Sequence, residues 1–490
     1  MVLLSRAHAG PVGPHEHRGS AGLNFARFPW RRRRNEPGPG DAADAGKSEM
    51  TEHQSKRILL LATTTGYQTR AFIEAAKRLG LEAVFGTDRC HVLDDPWQDG
   101  ALPLRFEDPE GSARQIIEYA RGKLVSAIVS IGDRPTLTAA RASRALRLLH
   151  HPPEAAEACR DKNLSRERLR AAGLDVPAFV RFPLAADPKE IVSSGDVSFP
   201  CVLKPLALSA SRGVIRADTP RQFVAAFERI RALLLRPEIR VMREHSSEFI
   251  QVERYVAGGE VAVEAAVDRG RLKSLAIFDK PDPLTGPFFE ETLYVAPSRL
   301  VPEVQAAIVE TLERAVEALG LYHGPVHAEF RIELDSESGS VQPEHIWIME
   351  IAARSIGGLC SRALRFCHPS STQPLSLEEI LIRLSLGESI DPIRRERSAS
   401  GVMMIPIPQS GIYQGVERLE EAREIEGVEE IIITARPTQK VEMLPEGSSY
   451  LGFIFARRSS SVSVEGALRS AYRTLQFAIA PELPVIKANA

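Results

Sequence analysis

Long apolar runs are missing from this sequence: no stretch approaches the roughly 18 apolar residues that a bilayer-crossing helix needs, so no membrane partner is expected. An excess of one charge is missing too. The 62 Lys and Arg against 64 Asp and Glu leave a formal net charge of -2, which offers a polyanion such as nucleic acid no general attraction. Cysteine is scarce, and the five present (Cys90, Cys159, Cys201, Cys360 and Cys367) show no paired-ligand spacing. That pattern fits a reducing compartment better than a disulfide framework, and a cytoplasmic location is expected. Cys360, Cys367 and His368 could be grouped as metal ligands, but packing and surface positions explain them as readily.

The first fifty or so residues lack an amphipathic period and are rich in Gly, Pro, Ala and Arg, with His8, His15 and His17 dispersed. They have no means of burying a core, and residues 1–56 read as a disordered arm. The run Arg31 to Arg34 looks like a twin-arginine or nucleic-acid patch, yet no apolar signal region follows it. A solvated basic arm is the simpler reading.

What remains is an ordinary globular composition, 43% hydrophobic and 26% charged, in a chain of 490 residues that is too long for one compact core. The expected fold is α/β and α+β multidomain. Over residues 57–150, Ile58 to Ala62, Ala83 to Phe85 and Ala127 to Ile131 are continuous apolar strands alternating with helices to Leu79 and over Ser112 to Ala120. This predicts a Rossmann-like parallel sheet covered on both faces, with ligands beyond its carboxyl ends at Thr63 to Gly66 and Asp133. Phe199 to Pro205, Gly213 to Arg216, a helix capped by Thr219 and Pro220, and Phe249 to Val256 make a small lid over about 199–256. Val261 to Val267, Ser274 to Phe278, Val326 to Ile332 and Ile346 to Ile351 read as a large antiparallel sheet backed by a helix from Glu303 to Leu319. Residues 396–490 read as a small C-terminal α+β domain, with strands at Val402 to Ile405, Ile431 to Ala435 and Leu451 to Ala456 and a last helix from Val464 to Ala478.

Several pieces fall in a telling order: Asp161-Lys162, the strand ending Lys204-Pro205, Ser211-Arg212-Gly213-Val214, Glu253 to Glu260, His327-Ala328-Glu329-Phe330-Arg331, and Met349-Glu350 through Arg354 to Gly358. The order is similar to that of the ATP-grasp superfamily, and most resembles its carboxylate-amine ligases, including L-amino acid ligases. The resemblance spans about half the chain and places an ATP-grasp domain at 151–395.

That resemblance implies roles. Lys162 and Lys204 match the family's ATP-binding lysines, and Lys204, at the end of a buried strand, needs an anionic partner in any case. Ser209, Ser211, Arg212 and Gly213 belong to the loop that covers the phosphates, where Ala207, Leu208 and Ala210 replace more usual glycines. Glu253, Tyr255 and Val256 match the adenine-binding hinge, and Glu260 the acceptor of the ribose hydroxyls. Glu329 and Glu350, carboxylates pushed into apolar strands, match the ligands of Mg2+, with Mn2+ as a substitute. Ala352 stands where the family commonly carries a further asparagine ligand. Arg354 matches the arginine facing the transferred phosphoryl group or the substrate carboxylate, and His327, two residues before Glu329, shares its face. A structural role for His327 fits equally well. Glu290 or Glu291 could meet a substrate ammonium.

The implied reaction is ATP-dependent joining of a small carboxylate to an amine, with amino acids as the expected substrates, through an acyl phosphate. A biotin-carboxylase-like enzyme activating bicarbonate and a non-catalytic nucleotide-binding module are the alternatives, and a homodimer is compatible with either. Met50 is expected to be the functional start. Deleting residues 2–49 should therefore leave ATP turnover and solubility intact; a large loss of either would make the arm part of the folded enzyme.

Overall fold

Four strands, β1 (Arg57–Ala62), β2 (Glu82–Thr87), β3 (Leu102–Pro103) and β4 (Val125–Ile131), form a parallel sheet in the order β3-β2-β1-β4. The computed structural model describes residues 56–63, 66–88, 101–206, 208–333 and 346–482. The expected arm up to residue 55, Cys90, Thr64, Thr65 and Ala207 lie outside the described residues. One face of the sheet, through Leu59, Leu61 and Ile128, packs on the helices Pro109–Ala120 and Thr136–Leu146. The other, through Ile58, Leu60 and Ala127, shares a core with the helices Thr69–Arg78 and Leu377–Ser385. Strands buried on both faces explain the unbroken apolar runs.

The second sheet joins β5 (Phe179–Pro183), β6 (Cys201–Pro205), β7 (Ile215–Ala217) and β8 (Phe249–Arg254) in the antiparallel order β5-β8-β6-β7. It closes over the helix Pro220–Leu234, which starts where Thr219 accepts from the Gln222 amide at 3.3 Å and Pro220 occupies the first turn.

The third sheet carries β9 (Gly259–Asp268), β10 (Arg271–Lys280), β11 (Leu293–Ala296), β12 (Gly324–Ile332) and β13 (Ile346–Ala352), ordered β13-β12-β9-β10-β11. Its antiparallel ladder continues through Ala399–Ile405, Gly452–Arg458 and Val428–Ile433, so the C-terminal strands extend the same sheet. Val261, Val263, Ala328 and Phe330 pack on the helix Pro302–Leu319. The last helix differs from expectation: it runs over Ser461–Thr474, and Gln476–Ala480 is a strand paired with Gly411–Glu417. The physical reason is period. Phe477 and Ile479 alternate with less apolar neighbours and both pack on the C-terminal core, which a strand permits and a helix would not. Among the described residues, no helix is long and apolar enough to cross a membrane.

His151 ties the segment after the helix Thr136–Leu146 to the third sheet. Its Nδ1 accepts from the Tyr322 amide at 3.1 Å, which makes Nε2 the protonated nitrogen donating to the Pro325 carbonyl at 3.0 Å. Gly324 makes room, since a Cβ there would lie 2.9 Å from the imidazole. Burial, and then neighbouring His150, push the His151 pKa down to about 3. A neutral buried histidine becomes protonated on unfolding, so stability is full above pH about 6.5 and falls as pH drops towards 3. Unfolding free energy should therefore decline between pH 6.5 and 5, by up to about 1.4 kcal/mol per pH unit per such histidine, before carboxylates such as Glu253 titrate. Urea unfolding at pH 7, 6 and 5 checks this, and a flat profile would contradict it.

Candidate functional site

Charged side chains gather on the face of the third sheet opposite the helix Pro302–Leu319. Alternation along β12 puts His327, Glu329 and Arg331 on one face, and the ladder sets them opposite Glu264, Ala262 and Glu260 of β9. On β10, Lys280 is the partner of Glu260. A row of alternating sign, Arg331, Glu260, Lys280, thus crosses three strands. Arg331 Nε donates to Glu260 at 2.9 Å, and Lys280 Nζ lies 2.7 Å from Glu260, 2.6 Å from Glu291 and 3.0 Å from Glu329. Ala262, the small residue opposite Glu329, leaves space through which the ammonium reaches that carboxylate. Its three acidic neighbours hold Lys280 charged despite burial, which by itself would lower its pKa.

Glu329 and Glu350 are direct cross-strand partners of β12 and β13 and so point to one side. Burial favours the neutral form of Glu329, but Lys280 and His327 outweigh it and keep the carboxylate ionised. Glu350 is 30% exposed, with Arg354 at 3.8 Å. Two facing carboxylates, one of them open, are suited to a hard divalent cation. His327 donates to Glu264 at 3.2 Å and lies 3.5 Å from Glu329; burial is again outweighed, and its pKa rises to about 9. The two carboxylates thus favour the protonated form of His327.

Arg354 follows β13, and its Nε donates to Asp133 at 2.8 Å, just beyond the carboxyl end of β4. That end of the parallel sheet, where a ligand was expected, orients the arginine and also borders a hollow. Thr63, Gly66, Asp133, His327, Glu329, Glu350, Arg354 and the more apolar Tyr67, Tyr294, Ile356, Met404 and Tyr450 surround a hollow of about 340 Å³. Of the two loop acids, Glu291 lines this hollow; burial pushes it towards its neutral form while Lys280 opposes.

A narrow slot adjoins the hollow, sharing Ser209, Ser211, Glu291, Glu329 and Glu350. It brings together Lys162, Lys204, Glu253, Tyr255, Val256 and Glu260 with apolar Val202, Leu208, Leu284, Phe289 and Met349. Lys162 fastens the covering loop by donating to the Leu208 carbonyl at 2.9 Å. Lys204 lies 2.6 Å from Glu253, which also meets Arg166 at 3.0 Å and Gln251 at 2.6 Å. Burial would raise the Glu253 pKa, but Arg166 and Lys204 bring it down to about 2.

Some expected ligand groups are already engaged. Both Glu260 oxygens meet cations, the Tyr255 amide donates to Pro200, and Val256 accepts from Arg331. Glu253 is the counter-ion of Lys204 and Arg166. Arg212 donates through Nε to the Glu446 carbonyl and the Gly213 amide to the Pro445 carbonyl, so both reach towards the C-terminal segment. Gly213 is required there: its φ is +74°, and a Cβ would strike Pro205 at 2.8 Å.

Lys280, Arg166 and Glu264 escaped the sequence reading, and Arg331 entered it only as the end of a motif, without a role. Lys280 had a signal, since Asp279-Lys280-Pro281 ends an apolar strand just as Leu203-Lys204-Pro205 does. A larger surface hollow, about 660 Å³ and lined by Ile277, Pro297, Gln305 and Glu313, contains none of the charged groups of the site.

Three family models match the chain: an ATP-grasp N-terminal domain over residues 73–148, an ATP-grasp domain over 197–363, and the L-amino acid ligase C-terminal domain 2 over 403–480. A protein of Sinorhizobium fredii, y4rH, is 24% identical over 90% of this chain and 89% of its own. An alanine–anticapsin ligase of Bacillus amyloliquefaciens is 28% identical over 48% of this chain and 51% of its own. The crystal structure of an L-amino acid ligase from Bacillus licheniformis superposes with a TM-score of 0.70 at 26% identity, covering 87% of this chain and 99% of that one.

The Glu253 node generates a test. Glu253→Gln leaves Arg166 and Lys204 buried without their counter-charge and should lower unfolding free energy by about 3 to 5 kcal/mol. Chemical unfolding of both proteins measures it, and a loss under about 1 kcal/mol would mean that other groups neutralise the two cations.

Proposed function

We propose that this chain, which matches an ATP-grasp domain and an L-amino acid ligase C-terminal domain, is a carboxylate-amine ligase of the ADP-forming type that condenses two amino acids or similar small acids through an acyl phosphate. The observation that carries this reading is the shared wall: Glu329, Glu350 and Glu291 border both the slot and the hollow, while Arg354 and His327 face the hollow beside them.

The apolar residues of the slot suit a flat base, Glu260 keeps lone pairs for ribose hydroxyls beside its two cations, and Lys162, Lys204, Ser209 and Ser211 suit the phosphates. Held by Glu329 and Glu350, Mg2+ or Mn2+ would neutralise triphosphate charge. Arg354, oriented by Asp133, presents its remaining donors to the acid's carboxylate. The γ-phosphoryl group passes to a carboxylate oxygen and ADP leaves; the amine nitrogen then attacks the acyl carbon, the C–O bond to phosphate breaks, and the amine proton is lost. Protonated His327 supplies a donor where negative charge grows on the acyl phosphate. Glu291 is the acid placed to meet a substrate ammonium. The residues mainly supply position and charge.

Incubation with ATP, Mg2+ and amino-acid pairs should yield ADP and a product lighter by one water than its reactants, detected by mass spectrometry. Glu350→Gln should lower that turnover by at least about 100-fold without moving the melting temperature. ADP formation with bicarbonate alone, and no condensation product from any pair, would replace this reading with a carboxylase-like one.

A further inference from the structure

Lys280 sits where three carboxylates converge. Oxygens of Glu260, Glu291 and Glu329 lie within 4.8 Å of one another, a donor set with the spacing of a cation site. The ammonium of Lys280 contacts all three carboxylates at 2.6 to 3.0 Å, and its side chain is 3% exposed. We infer that Lys280 replaces a second divalent cation in the nucleotide site, so that the enzyme loads a single metal ion, at Glu329 and Glu350, with its nucleotide. This rests on the ATP reading above.

Three observations support it. Lys280 cannot readily withdraw: it is the last residue of β10, laddered to Glu260 and followed by Pro281, with its ring neighbour Tyr294 centred 5.1 Å from Nζ. A divalent ion entering the triad would have to displace a buried ammonium from all three of its carboxylate partners, at a cost of several kcal/mol. The neighbouring positions also offer a second ion little. Ala352 is the next residue after Glu350 on the same face of β13 and Ala262 is the cross-strand neighbour of Glu329, and neither side chain has a donor atom. Finally, the site already concentrates fixed positive charge. Lys162, Lys204, Arg331 and Arg354 line the slot and hollow, and although the last three are paired with Glu253, Glu260 and Asp133 they set fixed donors beside a bound triphosphate.

A covalent cation differs from a metal in one measurable way: its occupancy does not depend on metal concentration. Bound Mn2+ is counted by electron paramagnetic resonance on the full chain, with saturating β,γ-methylene ATP. The wild type and Lys280→Arg should each bind about one Mn2+ per chain. Lys280→Met, similar in length but uncharged, should open the triad and bind about two, with folding checked by circular dichroism. Two ions in the wild type, or a folded Lys280→Met that still binds one, overturn the inference while leaving the ATP reading in place. No nucleotide-dependent Mn2+ in the wild type overturns both. If Lys280→Met does not fold, the wild-type count alone decides.

Discussion

Burying carboxylates on one face of β9 and β12 obliges the fold to bury cations beside them, and most of the site follows from that obligation. An unpaired ionised carboxylate in such surroundings costs several kcal/mol, comparable to the net stability of a domain. Glu260 is met by Lys280 and Arg331, Glu264 by His327 and the Ile356 amide, and Glu329 by Lys280 and His327. The cations come from different elements. Arg166 brings the helix Lys162–Ala171 to β8, and Asp133 brings the parallel sheet to Arg354. Hydrophobic burial draws these layers together without direction, whereas the ion pairs fix where each strand end stops. A polar site held this way is oriented before any ligand arrives, which is the condition for electrostatic stabilisation of developing charge.

The same constraint specifies register. On β9, Val261, Val263 and Ala265 face the helix Pro302–Leu319, while Glu260, Ala262 and Glu264 face the site. A slip of one residue would drive two carboxylates into an apolar interface and expose the valines. Small residues have a positive role on the charged face. Alanine at 262 lets Lys280 reach across to Glu329, and a bulky residue there would stand between them.

Much of this was legible in the sequence because it is local. An apolar run ending in Lys-Pro announces a buried cation, and carboxylates flanked by isoleucine and phenylalanine announce a polar site at Glu329 and Glu350. The counter-charges were not legible. Arg166 finds Glu253 across 87 positions and Arg354 finds Asp133 across 221, and no period or spacing encodes such a meeting. Lys280 shows a different failure, for its local signal was present and only the convergence of Glu260, Glu291 and Glu329 gives it meaning. The strand at Gln476–Ala480 was hidden by continuity with the helix before it, since five residues of alternating character carry little weight against a helical run of fourteen. Strand identities at the C-terminus were readable, but their membership of the third sheet depends on pairing between β11 and Ala399–Ile405, which only the folded chain reveals.

The C-terminal loop before Gly452 joins the two halves of the site. Glu446 accepts two bonds from Arg229 at 2.5 and 2.8 Å, its carbonyl accepts from Arg212 at 2.7 Å, and Pro445 accepts from the Gly213 amide at 2.8 Å. Arg236 meets Glu442 at 2.9 Å. A few residues further on, Ser448 and Tyr450 line the hollow. The loop therefore holds the cover of the slot with one end and walls the hollow with the other. Its grip is moderate: partly exposed ion pairs contribute about 0 to 1 kcal/mol each and hydrogen bonds about 1 kcal/mol. Contacts of that size hold a lid in place yet can be broken within the few kcal/mol that separate populated conformations. Because one short segment makes both sets of contacts, displacing it from the hollow would weaken its hold on Arg212 and Gly213, and lifting those residues would disturb the wall of the hollow.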